Sequence, residues 1–94
     1  MIQTNIAPEK HIFVCVNERQ EGDCCSKVNG QEIFLRIKKE ILSRGLGHIW
    51  VTKTKCLGFC NPTGATVAIY PKQKLLTEVK LEDVPKIMNI VLED

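Results

Sequence analysis

Residues 11–17 read His-Ile-Phe-Val-Cys-Val-Asn, and the interpretation of the whole chain starts from this stretch. Its residues are mostly β-branched or aromatic, and both alternating faces are apolar, which is typical of a strand buried on two sides. We therefore predict a first strand over residues 11–17. Cys15 lies at the end of this strand, just before the chain becomes polar.

A polar loop and then a helix are predicted to follow the first strand. Residues 18–29 are polar and hold the adjacent pair Cys24 and Cys25, with too little periodicity for a helix or a strand, which indicates a loop. Apolar residues then recur at helical spacing and predict a helix over about residues 31–44. Asn29 stands where the side chain of an N-cap residue would bond the first turn of that helix.

Three more strands and a second helix are predicted in the C-terminal half. Segments 49–54, 65–70 and 75–79 are rich in strand-forming residues, and the last two are close enough to form a hairpin. Apolar residues at helical spacing over about residues 81–91 predict a closing amphipathic helix. The order β-α-β-β-β-α predicts an α/β sandwich of two or three layers, with a right-handed crossover between the first two strands.

Composition narrows the class of protein. The chain has 94 residues, of which 44% are hydrophobic and 26% charged, so we expect one globular domain over residues 1–94. A formal net charge of +2 and an aromatic content of 5% argue against nucleic-acid binding, which usually needs a basic surface or stacking rings. No stretch approaches the roughly 18 apolar residues of a membrane span. We expect neither nucleic acid nor a membrane as a partner.

Cysteine is the unusual residue, with five in the chain. Residues 1–10 contain no apolar run long enough for a signal-peptide core, so we expect a cytoplasmic protein. Disulfides rarely persist in that reducing compartment, and a cysteine-rich domain there indicates metal binding or redox chemistry. Cys15 ends one predicted strand, and Cys56 and Cys60 follow another. Adjacent strand ends would bring these thiols and the Cys24-Cys25 pair to one edge of the sheet.

The spacing of the cysteines favours one cofactor and leaves two alternatives open. With Cys25 as the second ligand it is Cys-x9-Cys-x30-Cys-x3-Cys. Four thiolates from two loops are what a 2Fe-2S cluster needs, two for each iron. Zinc accepts the same donors, but the first two cysteines make a poor zinc knuckle, and the Cys-x2-Cys of a thioredoxin-type redox pair is absent. A structural zinc module and a cluster-free thiol redox protein remain alternatives.

Taken together, these motifs resemble a known family. From about residue 11 to residue 92 the chain is similar to the thioredoxin-like 2Fe-2S ferredoxins. The resemblance rests on five pieces in order: residues 11–17, the Cys-Cys pair at 24 and 25, Lys-Cys-Leu-Gly-Phe-Cys at 55–60, Val-Ala-Ile-Tyr-Pro at 67–71 and Leu-Glu-Asp-Val at 81–84. It implies a thioredoxin-like sandwich, one 2Fe-2S cluster, and a one-electron carrier between redox partner proteins that is not itself an enzyme.

The resemblance also implies the ligands. Cys15, Cys56 and Cys60 match cluster ligands of the family, and so does one residue of the adjacent pair. Counting without gaps from the family's loop ligand to its first helix favours Cys25 over Cys24.

The chain departs from the family at residues 72–76. They read Lys-Gln-Lys-Leu-Leu, where relatives commonly carry Gly-Val-Trp-Tyr-Gly beside their dimer contact. A monomer and a homodimer therefore both stay open. Lys53 and Lys55, which precede the second pair of cysteines, are expected to be ordinary solvated charges.

Overall fold

The computed structural model describes residues 1–4, 7–16, 29–55 and 64–93. In chain order these residues form β1 (Lys10–Cys15), α1 (Gly30–Ser43), β2 (Ile49–Thr54), β3 (Ala65–Tyr70), β4 (Lys74–Val79), a 3₁₀ turn (Leu81–Asp83) and α2 (Val84–Leu92). The predicted order of strands and helices is confirmed, and the bounds of β2 and β3 are confirmed to the residue. The end of the predicted first strand, at residue 17, lies outside the described residues.

The four strands form one mixed sheet in the order β2-β1-β3-β4. β1 is parallel to β2, with Cys15 opposite Thr54, and antiparallel to β3, with Ile12 opposite Ile69. Parallel neighbours need a crossover connection, and α1 lies within it. As a result β1 and β2 end at the same edge of the sheet, where β3 begins and β4 ends. We call this the carboxyl edge.

Both helices pack on one face of the sheet, so the sandwich has two layers. Ile33 and Ile37 of α1 and Met88 of α2 are fully buried against Ile12 and Val67 of the sheet. Burying each such side chain contributes about 1.5–3 kcal/mol, which makes this interface the main source of stability. The buried core comprises Ile12, Val14, Cys15, Ile33, Phe34, Ile37, Ile41, Ile49, Ala65, Val67, Ile69, Val79, Val84, Ile87, Met88 and Val91.

The opposite face of the sheet is not covered along its whole length, which corrects the prediction that β1 is buried on two sides. His11 and Phe13 are only half-buried there, while Trp50 and Tyr70 are 42% and 49% exposed. The rings pack on one another: His11 stacks on Phe13 at 4.1 Å between centroids, and Trp50 and Tyr70 approach edge-on. We call this patch, with Leu75, the open face. An apolar strand face is therefore covered here by contacts among its own rings.

The start of α1 differs from the prediction. Asn29 does occupy the N-cap position, but its φ is 67° and its side chain makes no capping hydrogen bond. A capping side chain usually requires an extended backbone at that position, whereas Asn29 is left-handed. The turn is held instead by the Ile33 N–H, which donates to the Asn29 carbonyl at 2.9 Å.

Two lysines hold the end of α2. Lys10, at the start of β1, donates from Nζ to the carbonyls of Val91 and Glu93. Lys72, in the β3–β4 turn, donates from Nζ to the Ile90 carbonyl at 2.6 Å and to that of Glu93. Positive charge is favourable at the C-terminus of a helix, where the last carbonyls lack intrahelical partners. These contacts fix the end of α2 at the edge where β1 begins.

At 14 and nine residues, α1 and α2 are both too short to cross a membrane, and no described helix meets the length and hydropathy of a membrane span.

Candidate metal centre

Cys15 is the one cysteine among the described residues, and it lies where the sequence predicts. It is the last residue of β1 at the carboxyl edge, its side chain is 0% exposed, and its thiol is free. The pairing of β1 with β2 continues one residue further, because the Val16 N–H donates to the Thr54 carbonyl at 2.9 Å. Cys15 is therefore held on a paired strand end and shielded from water.

Cys24, Cys25, Cys56 and Cys60 lie outside the described residues. The structure does describe the points at which their segments join the fold, and these points bear on the prediction that the thiols share one edge.

Three of these attachment points lie at the carboxyl edge. Val16, after β1, leads into the first cysteine segment, and Lys55, after β2, leads into the second. Gly64, before β3, is where the second segment returns. Both cysteine-bearing segments therefore leave the sheet beside Cys15.

Gly64 is wedged against the end of β4. A Cβ built on Gly64 would lie 2.3 Å from the carbonyl carbon of Glu78 and 2.6 Å from its Cα. Glu78 has a φ of 55°, and the β3–β4 register shifts between Ala65 and Val67, as at a β-bulge. The second cysteine segment thus re-enters the sheet at a point where no side chain fits.

A fully buried polar side chain lies at the same edge of the sheet as Cys15. Val14 is opposite Val67 in the antiparallel β1–β3 pair, and Cys15 and Thr66 are the next residues of their strands toward the carboxyl edge. Thr66 is 0% exposed and makes a polar contact within the protein. A hydroxyl and the Cys15 thiol are therefore both buried at the carboxyl edge.

Two lysines lie over one aromatic ring beside this edge, which the sequence reasoning missed. Phe34, in α1, is 6% exposed, and Lys53 of β2 places Nζ 5.4 Å from its ring centroid. Nζ of Lys38, one helical turn after Phe34, lies 5.9 Å from the same centroid. The contact of Lys38 with Phe34 could have been predicted, because residues i and i+4 are neighbours on a helix surface. The approach of Lys53 depends on how β2 packs on α1, which no local pattern encodes.

The two histidines take no part in a metal site that the structure describes. The Nε2 atom of His11 is 2.7 Å from the Thr52 hydroxyl, and burial lowers the pKa of His11 below its usual 6.5. No group of three or more His, Cys, Asp or Glu side chains that could hold a metal occurs among residues 1–4, 7–16, 29–55 and 64–93.

The donor chemistry of Cys15 suits an iron-sulfur cluster. A thiol on a fixed strand end, shielded from water and beside two further cysteine-bearing segments, is a soft donor of the kind that iron-sulfur clusters use. A two-layer sandwich with such a donor at the edge of a mixed sheet fits the class of iron-sulfur proteins, and comparisons with known proteins specify the family.

No family model matches the chain. A curated protein from Aquifex aeolicus (strain VF5), "Ferredoxin, 2Fe-2S", is 31% identical over an alignment of 89 residues, and the match covers 89% of this chain and 79% of the relative.

Solved structures agree in fold. The 1.5 Å crystal structure of the wild-type thioredoxin-like [2Fe-2S] ferredoxin from Aquifex aeolicus has a TM-score of 0.78 at 31% identity, and the match covers 88% of this chain and 84% of that one. Another structure of a thioredoxin-like [2Fe-2S] ferredoxin from the same organism has a TM-score of 0.80 at 30% identity, with 93% and 83% covered. The chain belongs to the thioredoxin-like 2Fe-2S ferredoxin family, whose cofactor is a 2Fe-2S cluster.

Proposed function

We propose that this protein binds one 2Fe-2S cluster through Cys15, Cys25, Cys56 and Cys60 and carries single electrons between redox partner proteins. The observation that carries the proposal is the position of Cys15, buried at the carboxyl edge where both other cysteine-bearing segments join the fold. Membership of the ferredoxin family supports the identity of the cofactor.

In this proposal the bound cluster supplies the one-electron chemistry and the chain supplies its setting. The protein positions four thiolates, limits water at Cys15 and adjusts the potential through the groups around the sulfur atoms. The role needs no catalytic residue, and we propose that the chain has no enzymatic activity of its own. A reducing cytoplasm is the compartment in which five cysteines stay available as ligands.

Cofactor analysis of anaerobically purified protein tests the proposal. We expect a red-brown protein with two iron and two acid-labile sulfide atoms per chain, and one reversible one-electron wave in voltammetry. A colourless protein that contains zinc would establish the structural zinc module instead. A colourless protein without metal would leave the thiol redox protein. Iron and sulfide without reversible reduction would refute the carrier role but not the cluster.

Single substitutions test the ligands. We expect Cys15→Ala, Cys56→Ala and Cys60→Ala each to lose iron, because each iron needs two thiolates. Cys25→Ser should disturb the visible spectrum, and Cys24→Ser serves as the matched control that leaves it almost unchanged. Full iron content in any one of the three alanine variants contradicts the ligand set. The reverse pattern within the adjacent pair would make Cys24 the ligand.

We propose a homodimer as the assembly, with two copies joined through the open face. Interfaces are enriched in aromatic side chains, and Trp50, Tyr70 and Leu75 are each more than 40% exposed there. None of the residues that define the open face carries a formal charge at neutral pH, so two copies can approach without like-charge contacts.

Sedimentation velocity tests the dimer. We expect the unmodified protein to sediment as a dimer and Trp50→Lys to sediment as a monomer with an intact cluster spectrum. Leu42→Lys is the matched control, because Leu42 is 71% exposed on α1 and away from the open face. A monomer at every concentration for the unmodified protein would refute the assembly.

A further inference from the structure

Three lysines form a basic patch on one side of the carboxyl edge. Lys53 is the residue before the end of β2, and its Cα is opposite Val14, next to Cys15. Lys55 follows β2 directly, and Lys38 projects from α1 toward the same ring as Lys53. All three side chains are exposed, and none forms an ion pair within the described part of the chain.

The ring of Phe34 positions two of these charges. Phe34 is 6% exposed and so is fixed by the core, while the Nζ atoms of Lys53 and Lys38 lie 5.4 and 5.9 Å from its centroid. The face of an aromatic ring attracts a cation, which reduces the freedom of a long lysine side chain. The ammonium groups are therefore partly ordered before anything binds to them.

Two ammonium groups beside one ring also repel each other. Among the described residues no carboxylate pairs with either lysine, and the ion pair at the end of α1 joins Glu40 to Arg44, the C-cap residue, at 3.1 Å. Bringing a negative charge between like charges lowers their mutual repulsion, so an anionic group would be stabilised at this place. A carboxylate placed beside these two lysines would therefore be stabilised.

We propose that Lys38, Lys53 and Lys55 are the docking patch for an acidic surface of a redox partner protein. This inference rests on the electron-carrier function proposed above. The patch lies on the β2 side of the edge that holds Cys15, so a partner bound there is close to Cys15 and to the end of β2, from which the segment with Cys56 continues. Charge pairing at the rim of an interface speeds encounter without holding the complex tightly, and a carrier must also dissociate.

A protein partner fits the patch better than a small free anion. The three ammonium groups are exposed on two different elements, α1 and the end of β2, and no described cavity encloses them. Small anions are usually bound by convergent donors in a concave site. A spread of exposed charges matches a carboxylate-rich protein surface.

The first experiment measures oxidation of the reduced protein by two cobalt complexes of opposite charge. Each Co(III) complex accepts one electron from the reduced protein and becomes Co(II). The measured quantity is the ratio of the rate constant for anionic tris(oxalato)cobaltate(III) to that for cationic hexaamminecobalt(III). This ratio should exceed the value expected from the intrinsic reactivities of the two complexes. The preference should fade as ionic strength rises from about 10 mM, where screening extends over about 30 Å.

The test variant is Lys38→Glu with Lys53→Glu, and the matched control is Lys74→Glu with Lys86→Glu. Both change the net charge equally, but Lys74 begins β4 and Lys86 lines a groove beside β4, at the other end of the sheet. We expect the test variant to lower the ratio of anionic to cationic rate constants about tenfold at low salt, and the control to lower it about twofold or less. The ratio cancels any change in driving force.

A third variant tests whether the ordering of the ammonium groups matters in addition to the net charge of the protein. Phe34→Leu keeps the net charge but removes the ring that orders the two ammonium groups, so we expect a smaller loss of the same preference. Circular dichroism and the visible spectrum check that the fold and the cluster survive.

Binding provides a readout that does not depend on electron transfer. Titration of the ¹⁵N-labelled oxidised protein with an acidic flavodoxin should shift the amide signals of residues near Lys38, and the test variant should abolish those shifts. Equal rate ratios for the unmodified protein and the test variant, or unchanged flavodoxin shifts, would overturn the docking patch. A protein that shows no reversible one-electron reduction would instead refute the carrier function.

Discussion

Alanine at Gly64 should be more disruptive than alanine at Gly45 or Gly47. Its Cβ would lie 2.3 Å from the carbonyl carbon of Glu78, and carbon atoms in contact prefer about 3.5–4.0 Å. An overlap of about 1 Å with backbone cannot be relieved by a side-chain rotation. β3 and β4 would have to separate at the carboxyl edge.

The expected cost is about 2–4 kcal/mol, the upper part of the range for overpacking a tight site. Gly47→Ala is the matched control, because nothing lies within 4 Å of its Cβ and its φ is not in the left-handed region. It should be neutral within about 0.5 kcal/mol. Gly45→Ala has equal space but a φ of +67°, so it should cost about 1–2 kcal/mol through backbone strain alone.

Urea unfolding followed by far-ultraviolet circular dichroism measures the series. At an m-value of about 1–3 kcal/mol per molar, Gly64→Ala should lower the midpoint by roughly 1–2 M. Visible absorption followed in the same titration reports whether the cluster is lost together with the fold. An effect of Gly64→Ala no larger than that of Gly47→Ala would refute the close approach of β3 and β4.

Three further outcomes follow from contacts described above. Lys10→Met with Lys72→Met should lower the free energy of unfolding by about 1–2 kcal/mol, because the last carbonyls of α2 lose their cationic donors, and a melting curve measures this. Since Thr66 is fully buried at the carboxyl edge, Thr66→Val should shift the reduction potential in voltammetry by tens of millivolts, roughly the free energy of one weak hydrogen bond, with Thr66→Ser close to the original value. Because burial lowers the pKa of His11, the unfolded state binds more protons at acidic pH, so stability should fall as the pH drops below 6.5. His11→Phe should flatten that part of the pH profile.

The sequence was sufficient to predict the element order because the local patterns agreed with the packing. Segments 49–54 and 65–70 combine strand-forming residues with clear ends, and the structure begins and ends β2 and β3 there. The first helix was also predictable from its apolar spacing. The N-cap hydrogen bond was predicted wrongly. Asn29 has a left-handed backbone, and no motif around it in the sequence predicts that conformation.

The candidate site likewise has features that the sequence predicts and features that only the packing determines. Cys15 could be placed at a strand end because its neighbours in sequence form the strand. The approach of Lys53 to Phe34, and the burial of Thr66 at the edge that holds Cys15, could not be read from the sequence, because they depend on which strands are neighbours and in what register. The ring contacts on the open face also needed the register, which brings His11 level with both Trp50 and Tyr70.

The lysine contacts at the end of α2 matter for anyone who would build fusion proteins from this fold. They fix Glu93 at the edge where β1 begins, and the six residues of β1 span about 20 Å from there to the carboxyl edge. A reductase domain attached after Glu93 would start on the far side of the sheet, and its linker would need at least about six extended residues to reach the cysteine-bearing segments. Shorter linkers would keep the two redox centres apart, so linker length alone could switch electron transfer on or off.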